Sequence, residues 1–214
     1  MQDLELIKNR ICAISKEDYY SSSDLHIHTN YSDGECDFAM ILDKAKSLKY
    51  NNIAISDHNT VRGYLENSWK EYPFLIPAVE FDCLDGHLLV HILGYGIDPE
   101  NKELQAVCAK DKTGANHVIP RLLRAKSPKK VIDAIHASGG IAVLAHPCCM
   151  WVLSLERYIK KLKKMGLDGI EVYYPYKNLR GVVKFHNPKN ISALADKYNL
   201  VKTGGSDCHG MIGE

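Results

Sequence analysis

Asp24-Leu25-His26-Ile27-His28 sets two imidazoles two residues apart. If this segment is a strand, alternation turns both rings to the same side, where they can converge on one divalent cation. Imidazole suits the borderline metals. Asp33-Gly34 adds a carboxylate in a tight turn, although a turn aspartate by itself reads equally well as solvated. The apolar run IAIS ends in Asp57-His58-Asn59, Glu80 interrupts LIPAVEF, and His91 interrupts LLVHILGYG. An ionised carboxylate in an apolar run is costly unless it is paired or metal-bound. A buried arginine or a strand edge would also account for Glu80, and a hydrogen bond in the core would account for His91. His146 follows IAVLA and precedes Pro147, and Asp207 and His209 follow VKTGGS with the same two-residue spacing.

Each of these residues has a bland reading, but their recurrence where apolar runs stop does not. Parallel α/β proteins assemble their sites at the carboxyl ends of successive strands. The runs Ser23 to Ile27, Asn52 to Ser56, Leu75 to Phe81, Leu88 to Leu93, Ile141 to Ala145, Gly169 to Tyr173 and Leu200 to Thr203 read as strands. Several are apolar on both faces, as in a buried parallel sheet. Asp85-Gly86 between two of them signals a hairpin.

Helix signals alternate with the strands. Asp37 can cap Phe38 to Lys49, and Ser127-Pro128 opens a helix that Gly139-Gly140 closes. Leu155 to Met165 is apolar on one side and stops at Gly166, while Asn187-Pro188 opens a helix running to about Tyr198. Asp3 to Ile14 reads as an added amphipathic helix, and Asn101 to Lys126 as a mixed helical and loop insertion. The alternation predicts an α/β barrel or doubly wound sheet.

The chain has 214 residues, 45% hydrophobic, enough for one domain with a continuous core. With 27 basic and 26 acidic residues the net charge is +1, which supplies no global field for coating nucleic acid. No apolar run nears the ~20 residues of a membrane span, and the start MQDLELIKNR lacks the segments of a secretion signal. Seven cysteines in irregular positions, with no Cys-x-x-Cys, favour reduced thiols over a disulfide framework or a thiolate zinc site. A cytoplasmic location follows as the expectation.

The segments DLHIHTNYSDG, ISDHNTVRG, PAVEF, HILGYGID, GGIAVLAHP, LDGIEVYYP and TGGSDCHG resemble the PHP family, named for polymerase and histidinol phosphatase. The resemblance runs from about Asp24 to Gly210 apart from the middle insertion. It is strongest to the small phosphoesterases similar to nucleoside 3′,5′-bisphosphate phosphatase. It implies a distorted seven-stranded (β/α)7 barrel: residues 1–22 as a helical extension, 23–214 as one phosphoesterase domain, and 101–126 as the insertion. It also implies two to three divalent ions of manganese, iron or zinc. His26, His28, Glu80 and Asp207 would hold one ion, with Glu80 bridging to a second held by His91 and His146. Asp33, His58 and His209 would hold the third. All nine positions are filled, and a metal-bound hydroxide would replace any protein nucleophile.

Asp24 and Asp57 are candidates to orient imidazoles, and Arg62, Arg121, Arg124 and Lys177 are candidate donors to phosphate oxygens. Cys208 lies between two candidate ligands, and alternation assigns it to packing. The expected partner is a phosphorylated small molecule or nucleotide. The insertion is shorter than is usual in this branch, which leaves two other readings open: a nuclease acting on nucleic-acid ends, and a non-enzymatic metal-stabilised interaction module.

Overall fold

Aliphatic runs bounded by turn residues form β1 (Ser23–Ile27), β2 (Asn52–Ile55), β3 (Ala78–Asp85), β4 (Leu88–Tyr95), β5 (Ile141–Leu144), β6 (Gly169–Tyr173) and β7 (Val201–Gly204) in the computed structural model. That structure describes residues 4–111, 115, 118–174 and 185–213. β1 and β5 are buried at every position, so they show no polar alternation because both faces are covered.

The α/β class is as the alternation predicts, but the strands do not form one continuous parallel ladder. β1 and β2 pair as a two-stranded parallel sheet, and β3 to β7 form a five-stranded sheet in chain order. Within the larger sheet β3–β4 and β4–β5 are antiparallel, while β5–β6 and β6–β7 are parallel. The hairpin at Asp85-Gly86 causes the reversal: Asp85 pairs with Leu88, and Gly86 takes φ +66°, a backbone angle that glycine adopts without penalty. Single bridges span the two seams, Ile27 to Cys208 on one side and Ile53 to Leu75 and His58 to Glu80 on the other. Beyond β2 and β7 the backbone leaves extended geometry at Asn59 and Asp207, each with φ +54°.

Among the described residues the α-helices of five residues or more are α1 (Leu4–Cys12), α2 (Phe38–Ser47), α3 (Arg62–Glu66), α4 (Val118–Arg124), α5 (Pro128–Ala137), α6 (Leu155–Met165) and α7 (Lys189–Lys197). The short turn Lys102–Gln105 and α4 lie in the expected insertion. Asp37 accepts from the Met40 N–H to start α2, Ser127 accepts from Lys130 N to start α5, and Gly166 closes α6 at φ +108°. α2 buries Phe38, Ile41, Leu42 and Ala45, the i, i+3, i+4, i+7 stripe of an amphipathic helix.

One apolar cluster joins these helices to the strands. A second takes Leu25, Ala54, Ala78, Leu93, Val143 and Val201 from six different strands and is covered by Ile7 and Ile11 of α1. Burying each of those isoleucines contributes roughly 1.5–3 kcal/mol, which ties the N-terminal helix to the strand core. No helix among the described residues is long and apolar enough to cross a membrane.

Candidate metal centre

His26 and His28 lie on and just beyond β1, both fully buried. Hydrogen bonds from His28 N to Cys208 O and from Cys208 N to His26 O tie this segment to the one after β7, so Asp207 and His209 are delivered beside it. Asp33 sits in a turn closed by Gly34 N donating to Thr29 O at 3.0 Å. A Cβ on Gly34 would lie 2.5 Å from His28 O, so only glycine fits between that turn and the strand. Three ligand-bearing segments hold non-glycine residues at positive φ: Asn59, His146 (+26°) and Asp207. Such conformations cost about 1–3 kcal/mol each and persist where surroundings over-determine them.

Glu80 is the hub. Its Oε2 lies 3.3 Å from each of His26 Nε2, His28 Nε2 and His58 Nδ1, and its Oε1 lies 3.0 Å from His91 Nδ1 and 3.1 Å from His146 Nε2. Asp207 Oδ1 stands 3.4 and 3.1 Å from Nε2 of His26 and His28. On the outer side Asp33 Oδ1 is 3.4 Å from His209 Nε2, and Asp33 Oδ2 is 3.7 Å from His58 Nε2. Three groupings result, each with donor atoms within 4.8 Å of one another: His26, His28, Glu80 and Asp207; His58, Glu80 and His91; and His28, Asp33, His58 and His209. His146 joins through Glu80 and lies 3.2 Å from His91.

These donors fit metal ions. Nε2 of His26 and both ring nitrogens of His28 are buried without a hydrogen-bond partner, a rare condition for buried polar atoms. The separations around Glu80 and Asp207 match the about 3 Å expected between neighbouring donors on one ion with bonds of about 2.1 Å. Burial pushes the Glu80 carboxyl up, but His58, His26 and His91 outweigh it and hold it well below the usual range. Burial pushes His91 and His28 down, but the facing carboxylates outweigh it and raise them to about 10 and about 9. Burial, with His28 and Arg121 adding, drops His58 to about 3. A bound cation would take the place of those imidazole protons.

Two carboxylates not singled out from the sequence orient the rings. Glu171, fully buried in β6, places Oε1 3.0 Å from His26 Nδ1, and its Oε2 accepts from the His146 N–H. Asp82 Oδ1 lies 3.0 Å from His91 Nε2. The signal that marked Glu80 was available for both: Glu171 is an acid inside GIEVY, and Asp82 follows Glu80 by two in a strand. Tyr174 adds a donor, its hydroxyl lying 2.6 Å from Asp207 Oδ2.

Asp24 and Asp57 hydrogen-bond backbone N–H groups and hydroxyls and not imidazole rings. Asp24 accepts from His26 N, Ser206 N and the Ser206 hydroxyl, and Asp57 accepts from Thr29 N and the hydroxyls of Thr29 and Ser32. Both pin ligand-bearing loops to strand ends. Among the candidate phosphate donors, Arg121 enters the centre, bound to Asp82, Asp33 and His58. Arg62 donates to Glu66 and Arg124 to Asp111, so these contacts do not bring either to the cluster. Lys177 lies outside the described residues. Cys208 is half-buried and packs against the core.

A family model for the PHP domain matches residues 24–199. A 3′,5′-nucleoside bisphosphate phosphatase of Chromobacterium violaceum is 31% identical, over 87% of this chain and 86% of its own length. A phosphoribosyl 1,2-cyclic phosphate 1,2-diphosphodiesterase of Eggerthella lenta is 24% identical, over 89% of this chain and 95% of its own. The alignment with the latter spans 259 residues against 214 here, so the relative carries segments with no counterpart in this chain. Among solved structures, an amidohydrolase of Chromobacterium violaceum with bound sulfate and no metal superposes with a TM-score of 0.72 at 22% identity, covering 88% of each chain.

Proposed function

Because this chain belongs to the PHP-domain family, we propose that it is a metal-dependent hydrolase of phosphoric esters, acting on a phosphate monoester of a nucleotide or other small molecule. The observation that carries the reading is Glu80, one buried carboxylate facing five imidazoles. His26, His28, Glu80 and Asp207 would hold one divalent ion, Glu80 with His91 and His146 a second, and Asp33, His58 and His209 a third. Manganese, iron and zinc all suit this donor set. When bound, the ions would lower the pKa of a water toward neutrality and neutralise charge on the phosphate.

The chain's own residues prepare that chemistry. Glu171 accepts the Nδ1 proton of His26 and so aims the Nε2 lone pair at the cluster. Asp82 does the same for His91 from its Nε2 side. Asp24 and Asp57 hold the loops that carry Asp207 and Asp33. A cavity of about 790 Å³, bordered by His91, His146, Leu89, Met150 and Trp151, supports a substrate of nucleotide size. We read the strands as a distorted seven-stranded barrel in a single domain, 23–214, with residues 1–22 as its extension. The two bridged seams and the shared apolar cluster support this. The absence of paired cysteine spacing in the sequence supports a cytoplasmic setting.

The test is a substrate screen over nucleotides, sugar phosphates and short oligonucleotides, with each metal supplied, in the wild-type and Glu80→Gln proteins. The expected result is monoester turnover that falls at least about a hundredfold in a Glu80→Gln protein whose circular dichroism is unchanged. Faster turnover of oligonucleotide ends would favour the nuclease reading. Normal turnover in folded Glu80→Gln, or none in metal-saturated wild type, would sink the proposal.

A further inference from the structure

We propose that Arg121 is an internal counter-cation that competes with a divalent metal ion for His58 and Asp33. The inference rests on the metal-centre reading above.

α4 delivers Arg121 into the protein, where it is 6% exposed. Its Nε and Nη2 donate to the two oxygens of Asp82, each at 2.8 Å, its Nη1 donates to Asp33 Oδ2 at 2.7 Å, and its Nη2 lies 2.8 Å from His58 Nδ1. A guanidinium has no acceptor atom. His58 Nδ1 must therefore accept, and the ring proton of the neutral imidazole then sits on Nε2.

That assignment excludes ligation by either nitrogen. A metal bound at Nδ1 would need the lone pair already given to Arg121. A metal bound at Nε2 would need the proton moved to Nδ1, where N–H would face N–H at 2.8 Å. Whichever nitrogen serves, the guanidinium must first release His58. Asp33 is shared in the same way, since its Oδ2 is held by Arg121 while Oδ1 faces His209. Asp82, outside the nine-ligand set, grips the other edge of the guanidinium, so the arginine is a seated resident of the centre and not a surface side chain passing through. The ion that uses His58 is consequently the weakest bound and the last to load.

The experiment titrates chelator-treated wild type, Arg121→Met and Arg121→Lys with Mn²⁺ by calorimetry, with elemental analysis for stoichiometry. In Arg121→Met the weakest Mn²⁺ is expected to bind at least about tenfold tighter than in wild type, and in Arg121→Lys, which keeps a charge, the gain is smaller. Independently, long-range ¹⁵N–¹H correlation on chelator-treated wild type should show His58 as the Nε2–H tautomer, with Nδ1 unprotonated beside Arg121. An Nδ1–H tautomer in wild type would overturn the proposal, even if Arg121→Met failed to fold. So would unchanged or weaker Mn²⁺ binding in a folded Arg121→Met protein. Neither measurement uses turnover, so failure of the phosphoesterase reading is distinguishable from failure of this one.

Discussion

Glu171 shows how one residue controls a ligand it does not replace. Its two oxygens hold a ring nitrogen of His26 on β1 and the backbone of His146 just beyond β5, groups that must face each other across the centre. In Glu171→Gln one of the two oxygens becomes an amide donor, so either the His26 ring or the His146 N–H loses its acceptor. Loss of such an orienting carboxylate typically reduces metal affinity 10- to 100-fold. We expect Glu171→Gln to stay folded and to bind its tightest Mn²⁺ at least about tenfold more weakly by calorimetry; wild-type affinity would remove Glu171 from that role. Most of the nine candidate ligand positions stand out in the sequence because they interrupt or follow an apolar run, whereas Asp33 lies in a polar turn and joins the set through the family resemblance. Glu171 and Asp82 also interrupt apolar runs, but which imidazoles they face is a property of the fold.

At the level of elements, the centre depends on where strands stop. Gly205 marks one stop: a Cβ there would lie 2.3 Å from the His26 Cβ and 2.5 Å from its backbone nitrogen, so β7 can approach β1 closely enough to deliver Asp207. The opposite end of the sheet is fastened differently. His136, in the last turn of α5, lies 2.7 Å from Asp168 Oδ2, which also accepts from the Ala142 N–H of β5. The hydrogen bond with Asp168 raises the His136 pKa above its ordinary value of 6.5 against the opposing effect of burial. A raised folded-state pKa contributes stability that is fully present below about 6.5 and lost as pH rises through the folded value. Urea denaturation in chelator should therefore find His136→Gln less stable than wild type at pH 5.5, by a few tenths to about 1 kcal/mol given the solvent screening of this half-exposed pair, with the gap narrowing by pH 9. A gap that widened with pH would contradict the assignment.

Across the whole molecule, the cavity beside His91 and His146 joins the centre to an apolar border. Trp151 is 78% exposed there, with its ring centroid 4.7 Å from that of Phe185. An exposed indole next to a phosphate-handling centre is placed to stack on a nucleobase, an interaction worth about 1–3 kcal/mol. Trp151→Ala is expected to raise KM for a nucleotide about tenfold, or about 1.4 kcal/mol, while a sugar phosphate without a ring base is unaffected. Steady-state kinetics on the two substrates decides it, and equal effects on both would remove Trp151 from base recognition.

The sequence by itself determined the local structure. Alternating apolar runs, the caps at Asp37 and Ser127, and the glycines at 86 and 166 act over a few residues, and the structure places strands and helices close to where they point, except that the strand expected over Leu75 to Phe81 runs instead from Ala78 to Asp85 because the hairpin pairing extends it to the turn. The candidate ligands were legible for the same reason. Which candidate ligands stand together depends on three dimensions, since His26 lies beside Glu80 and Asp207 and no local pattern encodes those separations. The antiparallel run β3–β4–β5 and the bridged seams are likewise properties of the assembled sheets. Arg121 and Arg124 looked equivalent as basic residues three apart on one segment. Tertiary packing alone buries the first against Asp82, Asp33 and His58 and leaves the second exposed beside Asp111, because a buried charge must find its compensation wherever the fold supplies it.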